Sequence, residues 1–314
     1  MESVAARAEG AFVGLAVGDA LGATTEFMTP GEIRAKFGVH RKIVGGGWLH
    51  LKPGKVTDDT ELCLCIARAV AAAGRWDLAA IADRFAAWLR GKPADVGATC
   101  RKGIRDYMLT GRLERPYNDW DAGNGAVMRV TPVALATLGD SGMLARCALE
   151  QARITHHHPL SDAACVAVGR MVQEAVLSPS RDSLKAVAGE LAARHPEFAF
   201  NRYDGEASGY VVHTVRTVFH HLFSTESFEE CLVAVVNQGG DADTTGSIAG
   251  AVAGAYYGPE SIPSRWLAKL DGAVREETRE LARRLVLLSP CAAGAATARR
   301  RPGNGDDGPG DGWR

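Results

Sequence analysis

Two short stretches of the sequence each place carboxylates and threonine hydroxyls side by side. The first reads TDDT at residues 57–60, and the second reads DADTT at residues 241–245, inside the glycine-rich run NQGGDADTTG. Each stretch stands where a helical pattern begins. Neighbouring carboxylates repel each other, so a helix N-terminus, a cation or both must compensate for their charge.

The second stretch matches the start of an EF-hand calcium loop, and that interpretation can be tested on its spacing. Position 12 of such a loop requires a bidentate glutamate. Counting from Asp241, that position falls on Val252, and position 5 falls on Thr245. The EF-hand interpretation therefore fails.

Helix capping is the simplest role for either stretch. Asp58 and Glu61 have the spacing of a capping box, and a helix N-terminus attracts a carboxylate by about 0.3–1 kcal/mol. Two stretches that each hold more acids than a cap uses favour a second role. Carboxylate and hydroxyl oxygens suit Mg²⁺ or Mn²⁺, and four carboxylates are enough for two cations about 3.5–4 Å apart. Neither stretch has the cysteine or histidine spacing of a zinc site.

The elements that must position these acids are helices. Apolar residues recur with helical spacing, as in 62–69 and 78–89, and sustained strand alternation is absent. Ser161 is a candidate N-cap, and Gly111 and Gly139 are candidate stops. An extended piece at 41–51 is broken by glycine. The later helices are predicted at about 127–139, 142–152, 161–177, 181–194, 208–223, 226–236, 245–256 and 264–288. The pattern predicts an all-α domain.

Glycine recurs at every fourth residue in two of these segments, at 10, 14, 18 and 22 and at 246, 250, 254 and 258. Glycine inside a helix costs about 1 kcal/mol relative to alanine, so the repetition needs a reason. A bare stripe lets another backbone approach closely. The two stripes either pack against each other or pack elsewhere. Mutual packing would bring acids of the N-terminal segment near those before Gly246.

Composition bounds the class of protein. The chain has 314 residues and a formal net charge of −1, so no global field favours nucleic acid or an anionic membrane. The apolar run 11–18 is too short to span a bilayer. Seven cysteines without disulfide-like spacing predict reduced thiols and a soluble, cytoplasmic protein.

The glycine-, proline- and charge-rich end predicts a disordered tail at 291–314 after one domain at 1–290.

Six motifs in order resemble the ADP-ribosylglycohydrolase family. They read GAFVGLAVGDALGATTEF, GGGWL, VTDDTE, DAGNGAVMR, ITHHHPLSDAA and NQGGDADTTG, and the likeness runs from about residue 5 to residue 288. The bacterial branch that acts on dinitrogenase reductase is the most similar. The resemblance implies a compact, orthogonal multi-helix single domain of all-α class. It also implies two divalent cations, Mn²⁺ or Mg²⁺.

The resemblance assigns roles to individual residues. Metal ligands would be Thr57, Asp58, Asp59, Asp241, Asp243 and Thr244. Catalytic acids would be Glu26 and Asp95, with the roles of acid and base undivided between them. Substrate-binding residues would be Thr99, Cys100, Asp121, Ala122, Gly123, Asn124, His156 and Tyr210. Ala98 departs from the family pattern, which has asparagine there. His158 would be structural.

Several of these residues also have ordinary interpretations. Glu26 could be a solvated loop acid and Asp95 a turn residue before a glycine. Tyr210 could belong to the core, and Asn124, between two glycines, could serve a turn with positive φ. The three consecutive histidines at 156–158 could suggest a metal site, but Pro159 follows them and favours a loop.

The implied reaction is hydrolysis of the N-glycosidic bond between ADP-ribose and an arginine on a protein. The implied substrate is ADP-ribosylated nitrogenase iron protein, in the context of nitrogen fixation, and the implied regulator is a PII-type signalling protein. Two alternatives remain. One is hydrolysis of another ADP-ribosyl substrate, such as ADP-ribosyl-serine or a small derivative. The other is a non-catalytic ADP-ribose-binding or structural member, since the wider family includes lens crystallins.

Overall fold

The structure is a computed structural model that describes residues 1–201 and 203–293. The regular structure of these residues is helical, and their β-type pairing is limited to two isolated bridges. The all-α single domain predicted from periodicity is confirmed. The helices are α1 (Glu2–Gly22), α2 (Pro30–Phe37), α3 (Asp58–Ala73), α4 (Leu78–Arg90), α5 (Ala98–Thr110), α6 (Thr131–Ala136), α7 (Ser141–Arg153), α8 (Pro159–Leu177), α9 (Arg181–Arg194), α10 (Val211–Ser224), α11 (Phe228–Val236), α12 (Ala242–Tyr257), α13 (Ser264–Leu267) and α14 (Gly272–Leu288).

Helices α1 and α12 form the centre of the molecule, and their glycine stripes face each other. A Cβ built on Gly14 would lie 2.3 Å from the Gly250 carbonyl oxygen, and one built on Gly254 would lie 2.0 Å from the Gly10 carbonyl oxygen. Real side chains do not approach backbone that closely, so only glycine permits this crossing. The interpretation that the two stripes pack against each other is correct. The remaining helices surround this pair, with α3 and α14 against α1 and with α8, α10 and α11 against α12.

The predicted helix 264–288 is interrupted in the structure. It divides into α13 and α14 because the Asp271 side chain accepts hydrogen bonds from Ala273 N (2.9 Å) and Val274 N (3.3 Å), which caps a new helix. Lys55 Nζ also donates to Asp271 Oδ2 at 2.7 Å. The apolar spacing of the sequence continues through this break and so did not reveal it. The break is fixed by the Asp271 cap and by the hydrogen bond from Lys55.

The prediction that Ser161 caps a helix is wrong. Helix α8 begins two residues earlier, at Pro159, and its N-cap is His158, whose ring accepts a hydrogen bond from Leu160 N at 3.2 Å. Proline suits the first turn because its missing N–H is not needed there. Ser161 Oγ instead donates to the Gly123 carbonyl at 3.3 Å. The structural role predicted for His158 is thus a capping role.

The predicted tail at 291–314 lies, from residue 294 onward, outside the described residues. Cys291 N donates to the Leu138 carbonyl at 2.9 Å, so the chain is still packed at that point, one residue past the predicted domain end. None of the helices in the described ranges combines the length and the apolar character that a membrane span requires.

Candidate active site

The two acid–threonine stretches meet at the crossing of α1 and α12. Asp59 lies in the first turn of α3, and Thr244 lies in the first turn of α12. Thr244 Oγ1 donates to Asp59 Oδ2 at 3.1 Å, and Ser247 Oγ donates to Asp59 Oδ1 at 2.5 Å. Residues 185 and 188 positions apart in the chain are therefore in direct contact, and the two stretches build one site.

A cleft of about 380 Å³ opens above this junction. Its acidic residues come from four chain segments, and its other lining residues include the start of α5, the loop before α6 and His156 in the loop between α7 and α8. It is lined by Glu26, Phe27, Trp48, Asp58, Asp59, Asp95, Val96, Gly97, Ala98, Thr99, Cys100, Gly123, Asn124, Gly125, Met128, His156, Gly209, Asp241, Asp243 and Thr244.

Three of these carboxylates converge most closely. Oxygen atoms of Glu26, Asp241 and Asp243 lie within 4.8 Å of one another. Trp48 Nε1 donates to Glu26 Oε2 at 2.6 Å, and Asn124 Nδ2 donates to Asp241 Oδ2 at 2.7 Å. Each of these two acids therefore accepts a hydrogen bond from an uncharged donor.

The capping interpretation explains only part of this arrangement. The N-cap of α3 is Thr57, whose side chain accepts from Asp59 N at 3.4 Å, so Asp58 already belongs to the helix. Asp241 occupies the N-cap position of α12, yet its side chain makes no capping hydrogen bond. Both clusters therefore present carboxylates to the cleft rather than to the helix ends.

The buried acids of the site have raised pKa values, because burial and mutual repulsion both disfavour their charged forms. Burial, with added repulsion from Asp95, raises the pKa of Asp58 to about 8. Burial also raises the pKa of Asp59, with Asp19 the next cause, and the pKa of Asp243, with Asp59 the next cause. Proton uptake is one answer to such repulsion, and a divalent cation is the other. Buried carboxylates and threonine hydroxyls form a hard oxygen donor set, so these residues fit Mg²⁺-type or Mn²⁺-type ions.

A further buried acid, Asp19 of α1, lies beneath the start of α3. Its carboxylate accepts hydrogen bonds from Thr57 N (3.0 Å), from Thr60 N (3.1 Å) and from Thr60 Oγ1 (2.5 Å). Burial raises its pKa to about 7 in spite of these donors. Asp19 therefore ties α1 to the turn that carries Asp58 and Asp59.

Most of the substrate residues that the resemblance implies line the cleft. Thr99, Cys100, Gly123, Asn124 and His156 all do so, and so does Asp95, one of the two implied catalytic acids. Burial raises the pKa of Asp95, with repulsion from Asp241 contributing. Ala98 also lines the cleft, where its methyl group cannot make the hydrogen bonds of an asparagine amide.

Three of the implied substrate residues lie elsewhere. Asp121 is 3% exposed and pairs with Arg115, whose Nη1 lies 3.3 Å from Asp121 Oδ2. Tyr210 is 37% exposed and immediately precedes α10, beside the β-bridge that joins it to Gly123. Ala122 precedes that bridge and accepts from Val211 N at 2.9 Å. A substrate role for these three stays a prediction.

Sequence reasoning missed three residues of the site: Asp19, Trp48 and Ser247. Trp48 was quoted within a motif but received no role, although it follows three glycines with positive φ, a signal of a specially shaped loop. Asp19 and Ser247 stand directly beside the glycines of the two stripes, Gly18 and Gly246. Their position next to the close helix crossing was the available signal, since both side chains reach the start of α3 there.

Comparison with known proteins agrees with this geometry. The family model described as ADP-ribosylglycohydrolase matches residues 1–293. The ADP-ribosyl-(dinitrogen reductase) glycohydrolase of Rhodospirillum rubrum is 54% identical over 287 residues, which cover 91% of this chain and 98% of that one. An ADP-ribosylarginine hydrolase, Tri1, of Serratia proteamaculans is 31% identical, with 90% of this chain and 80% of that one covered.

Solved structures give the same result. A chain of a structure titled ADP-ribosylglycohydrolase-related protein complex superposes with a TM-score of 0.82 at 34% sequence identity, covering 92% of this chain and 99% of that chain. The protein belongs to the ADP-ribosylglycohydrolase family.

Proposed function

We propose that this protein hydrolyses the N-glycosidic bond that joins ADP-ribose to an arginine side chain of a protein. The observation that carries the proposal is the cleft in which Glu26, Asp95 and the two acid–threonine stretches meet, in a chain of this family. Two of the similar proteins bear names that specify this class of substrate, an ADP-ribosylated reductase and ADP-ribosylarginine.

Two divalent cations, Mn²⁺ or Mg²⁺, complete the proposed site. Their ligands would be Thr57, Asp58, Asp59, Asp241, Asp243 and Thr244. When bound, such ions supply positive charge that orients hydroxyl groups and acidifies water. The support for this assignment is the donor set itself: buried carboxylates whose pKa values are raised by burial and by one another.

The residues of the chain account for the rest of the reaction. Cleavage at the ribose carbon develops positive charge of oxocarbenium type, and the carboxylates around the cleft stabilise it. The departing guanidine needs a proton, and the attacking water must lose one. Glu26 and Asp95 are the candidates for these two transfers, because burial raises the pKa of Glu26 to about 8 and also raises the pKa of Asp95. Glu26, with a pKa of about 8, holds a proton near neutral pH and can donate it.

The proposed protein substrate is ADP-ribosylated nitrogenase iron protein, as the name of the Rhodospirillum rubrum relative suggests. The protein would thereby restore the unmodified arginine and reactivate its target. Regulation by a PII-type protein and a cytoplasmic location stay predictions.

The test is a release assay on a protein carrying ADP-ribosyl-arginine, with Mn²⁺ and with a chelator. We expect release of ADP-ribose and an unmodified arginine with Mn²⁺, and little release with the chelator. An ADP-ribosyl-serine peptide and a small ADP-ribose derivative serve as matched substrates. Release of ADP-ribose from only one of these two substrates, and not from ADP-ribosyl-arginine, would show that the proposed substrate class is wrong. Binding of ADP-ribose without release from any substrate would indicate a non-catalytic member.

A further inference from the structure

Behind the cleft, Arg129 is a fully buried cation whose guanidinium donors are all used. Its exposed fraction is 0%. A guanidinium has five N–H donors, and Arg129 has five acceptors. These acceptors are Gln151 Oε1 (2.8 Å), the Gln151 carbonyl (3.0 Å), the Gly125 carbonyl (2.7 Å), Cys100 Sγ (3.5 Å) and Thr155 Oγ1 (2.7 Å). All of them are uncharged, because burial also raises the pKa of the Cys100 thiol to about 11.

The direction of the next hydrogen bond follows from this saturation. Arg129 can only donate, so Thr155 Oγ1 is the acceptor in that bond. The hydroxyl hydrogen of Thr155 then needs an acceptor of its own. His156 Nδ1 lies 2.8 Å from Thr155 Oγ1. Among the bonds found in the described ranges, this is the one contact left for that hydrogen.

The ring of His156 must therefore present its proton on the other nitrogen. If Nδ1 accepts from Thr155, the neutral imidazole carries its hydrogen on Nε2. The charged form is disfavoured, because burial and the nearby cations Arg129 and Arg115 lower the pKa of His156. His156 lines the cleft, and Gly123 and Gly125 lie against its ring. A Cβ at either glycine would stand 3.1–3.2 Å from Nε2.

We propose that Arg129 and Thr155 are positioning residues that hold His156 as the neutral Nε2–H tautomer, so that it donates one hydrogen bond to an acceptor oxygen of the ADP-ribosyl group. This inference rests on the proposed function for the identity of the ligand, although the tautomer itself does not depend on it. An N–H donor in the lining of an acidic cleft suits an acceptor oxygen such as a phosphate or ribose oxygen, because an ionised carboxylate has no hydrogen to donate to it.

The tautomer is measurable in the full chain without any ligand. In a protein labelled with ¹⁵N-histidine, a protonated ring nitrogen and an unprotonated one have well-separated shifts, and His156→Gln identifies the signals by their loss. We expect Nε2 protonated and Nδ1 unprotonated in the wild type. A wild-type spectrum with Nδ1 protonated, or with both nitrogens protonated near neutral pH, would overturn the proposal.

Two matched variants test the relay, by which we mean the hydrogen bonds from Arg129 to Thr155 and from Thr155 to His156. Thr155→Val keeps the shape and removes the hydroxyl, and Thr155→Ser keeps the hydroxyl. We expect Thr155→Val to lose the single-tautomer spectrum and to raise KM for the ADP-ribosylated protein about 3- to 10-fold with kcat nearly unchanged, as for one neutral hydrogen bond. Thr155→Ser should retain both properties. A valine variant with the wild-type spectrum and KM would contradict the relay.

The two proposals fail in different ways. If the wild type shows the expected tautomer but releases no ADP-ribose from any substrate, the proposed function is wrong and the relay stands as a structural finding. If the wild type hydrolyses ADP-ribosyl-arginine but shows the other tautomer, the relay is wrong and the function stands. Should Thr155→Val fail to fold, the wild-type spectrum still decides the tautomer.

Discussion

The backbone of Gly18 lies directly against that of Gly246, so that a Cβ built on Gly18 would stand 1.9 Å from the Gly246 carbonyl oxygen. This contact is part of the core and of the site at once. Asp19 follows Gly18 and holds the turn that starts α3, while Asp243 and Thr244 precede Gly246 and face that turn. The close crossing of α1 and α12 is therefore what brings the two acid–threonine stretches into one cleft.

A first prediction concerns this crossing. Gly14→Ala should lower the free energy of unfolding by about 1–3 kcal/mol or more, because the added methyl would lie 2.3 Å from the Gly250 carbonyl oxygen. Gly14→Leu and Gly250→Leu should be worse. Gly189→Ala in α9 is the matched control: its Cβ meets nothing within 4 Å, so it should stabilise by about 0.5–1 kcal/mol. Urea unfolding compares the variants, and equal stability of both alanine variants would contradict the close packing.

The helices and the glycine crossing were predictable because both leave a local periodic record. The roles of other residues depend on where distant backbone arrives. Asp19 binds Thr57 and Thr60, which are 38 and 41 positions away, and no spacing rule connects them. The break before α14 depends in part on Lys55 in the same way. Resemblance supplied the cleft residues that periodicity could not, although Asp121 lies in a buried ion pair rather than in the cleft wall.

A second prediction concerns the tryptophan at the rim. Trp48→Phe removes the Nε1 donor that lies 2.6 Å from Glu26 Oε2. A hydrogen bond to an uncharged group is worth about 0.5–1.5 kcal/mol, so kcat/KM for ADP-ribosyl-arginine should fall about 2- to 10-fold. Trp88→Phe is the matched control, since Trp88 Nε1 lies 2.6 Å from Glu61 Oε2, outside the cleft lining. Equal activity losses in the two variants would show that the Trp48 bond is not specific to catalysis.

A third prediction concerns Asp19. Asp19→Asn replaces one acceptor oxygen by an NH₂ group that faces the backbone donors of Thr57 and Thr60. The variant should unfold about 1–3 kcal/mol more easily and should gain less thermal stability from Mn²⁺ than the wild type. Asp77→Asn is the control, because Asp77 accepts from Ala80 N in an ordinary helix cap. An unchanged Mn²⁺ response of Asp19→Asn would mean that this acid does not position the ligand turn.

A fourth prediction tests whether the two stretches act as one site. Asp59→Asn and Asp243→Asn should each abolish most hydrolysis and weaken the Mn²⁺-dependent rise in melting temperature. The double variant should lose little more than either single one, because residues that act as a unit are not additive. Without metal, each variant should be as stable as the wild type or more so, since one buried carboxylate is gone.

The control for this experiment is Asp140→Asn, at an exposed cap whose carboxylate accepts from Met143 N at 2.8 Å. Asparagine caps nearly as well as aspartate, so this variant should keep its activity and its Mn²⁺ response. If Asp59→Asn and Asp243→Asn behave as Asp140→Asn does, the two stretches are caps and the proposed metal site is wrong.

A fifth prediction concerns pH. Burial raises the pKa of Asp19 to about 7 and the pKa values of Glu26 and Asp58 to about 8, against about 4 in the unfolded chain. Between these values the folded chain binds more protons than the unfolded chain, so the free energy of unfolding falls as pH rises, by at most about 1.4 kcal/mol per pH unit and group. With a chelator present, the melting temperature should therefore decrease between about pH 6.5 and pH 8.

Excess Mn²⁺ should reverse this trend, because the cation competes with protons for the same oxygens and binds better as they ionise. The Mn²⁺-induced rise in melting temperature should be larger at pH 8 than at pH 6.5. The double variant Glu26→Gln, Asp58→Asn removes two of the three groups and should flatten the slope measured with the chelator. Buried histidines act in the opposite direction, but mainly below about pH 6.5, where the unfolded chain takes up their protons. A wild-type melting temperature that stays level or rises from pH 6.5 to pH 8 with the chelator would show that these carboxyl groups ionise near their ordinary pKa values.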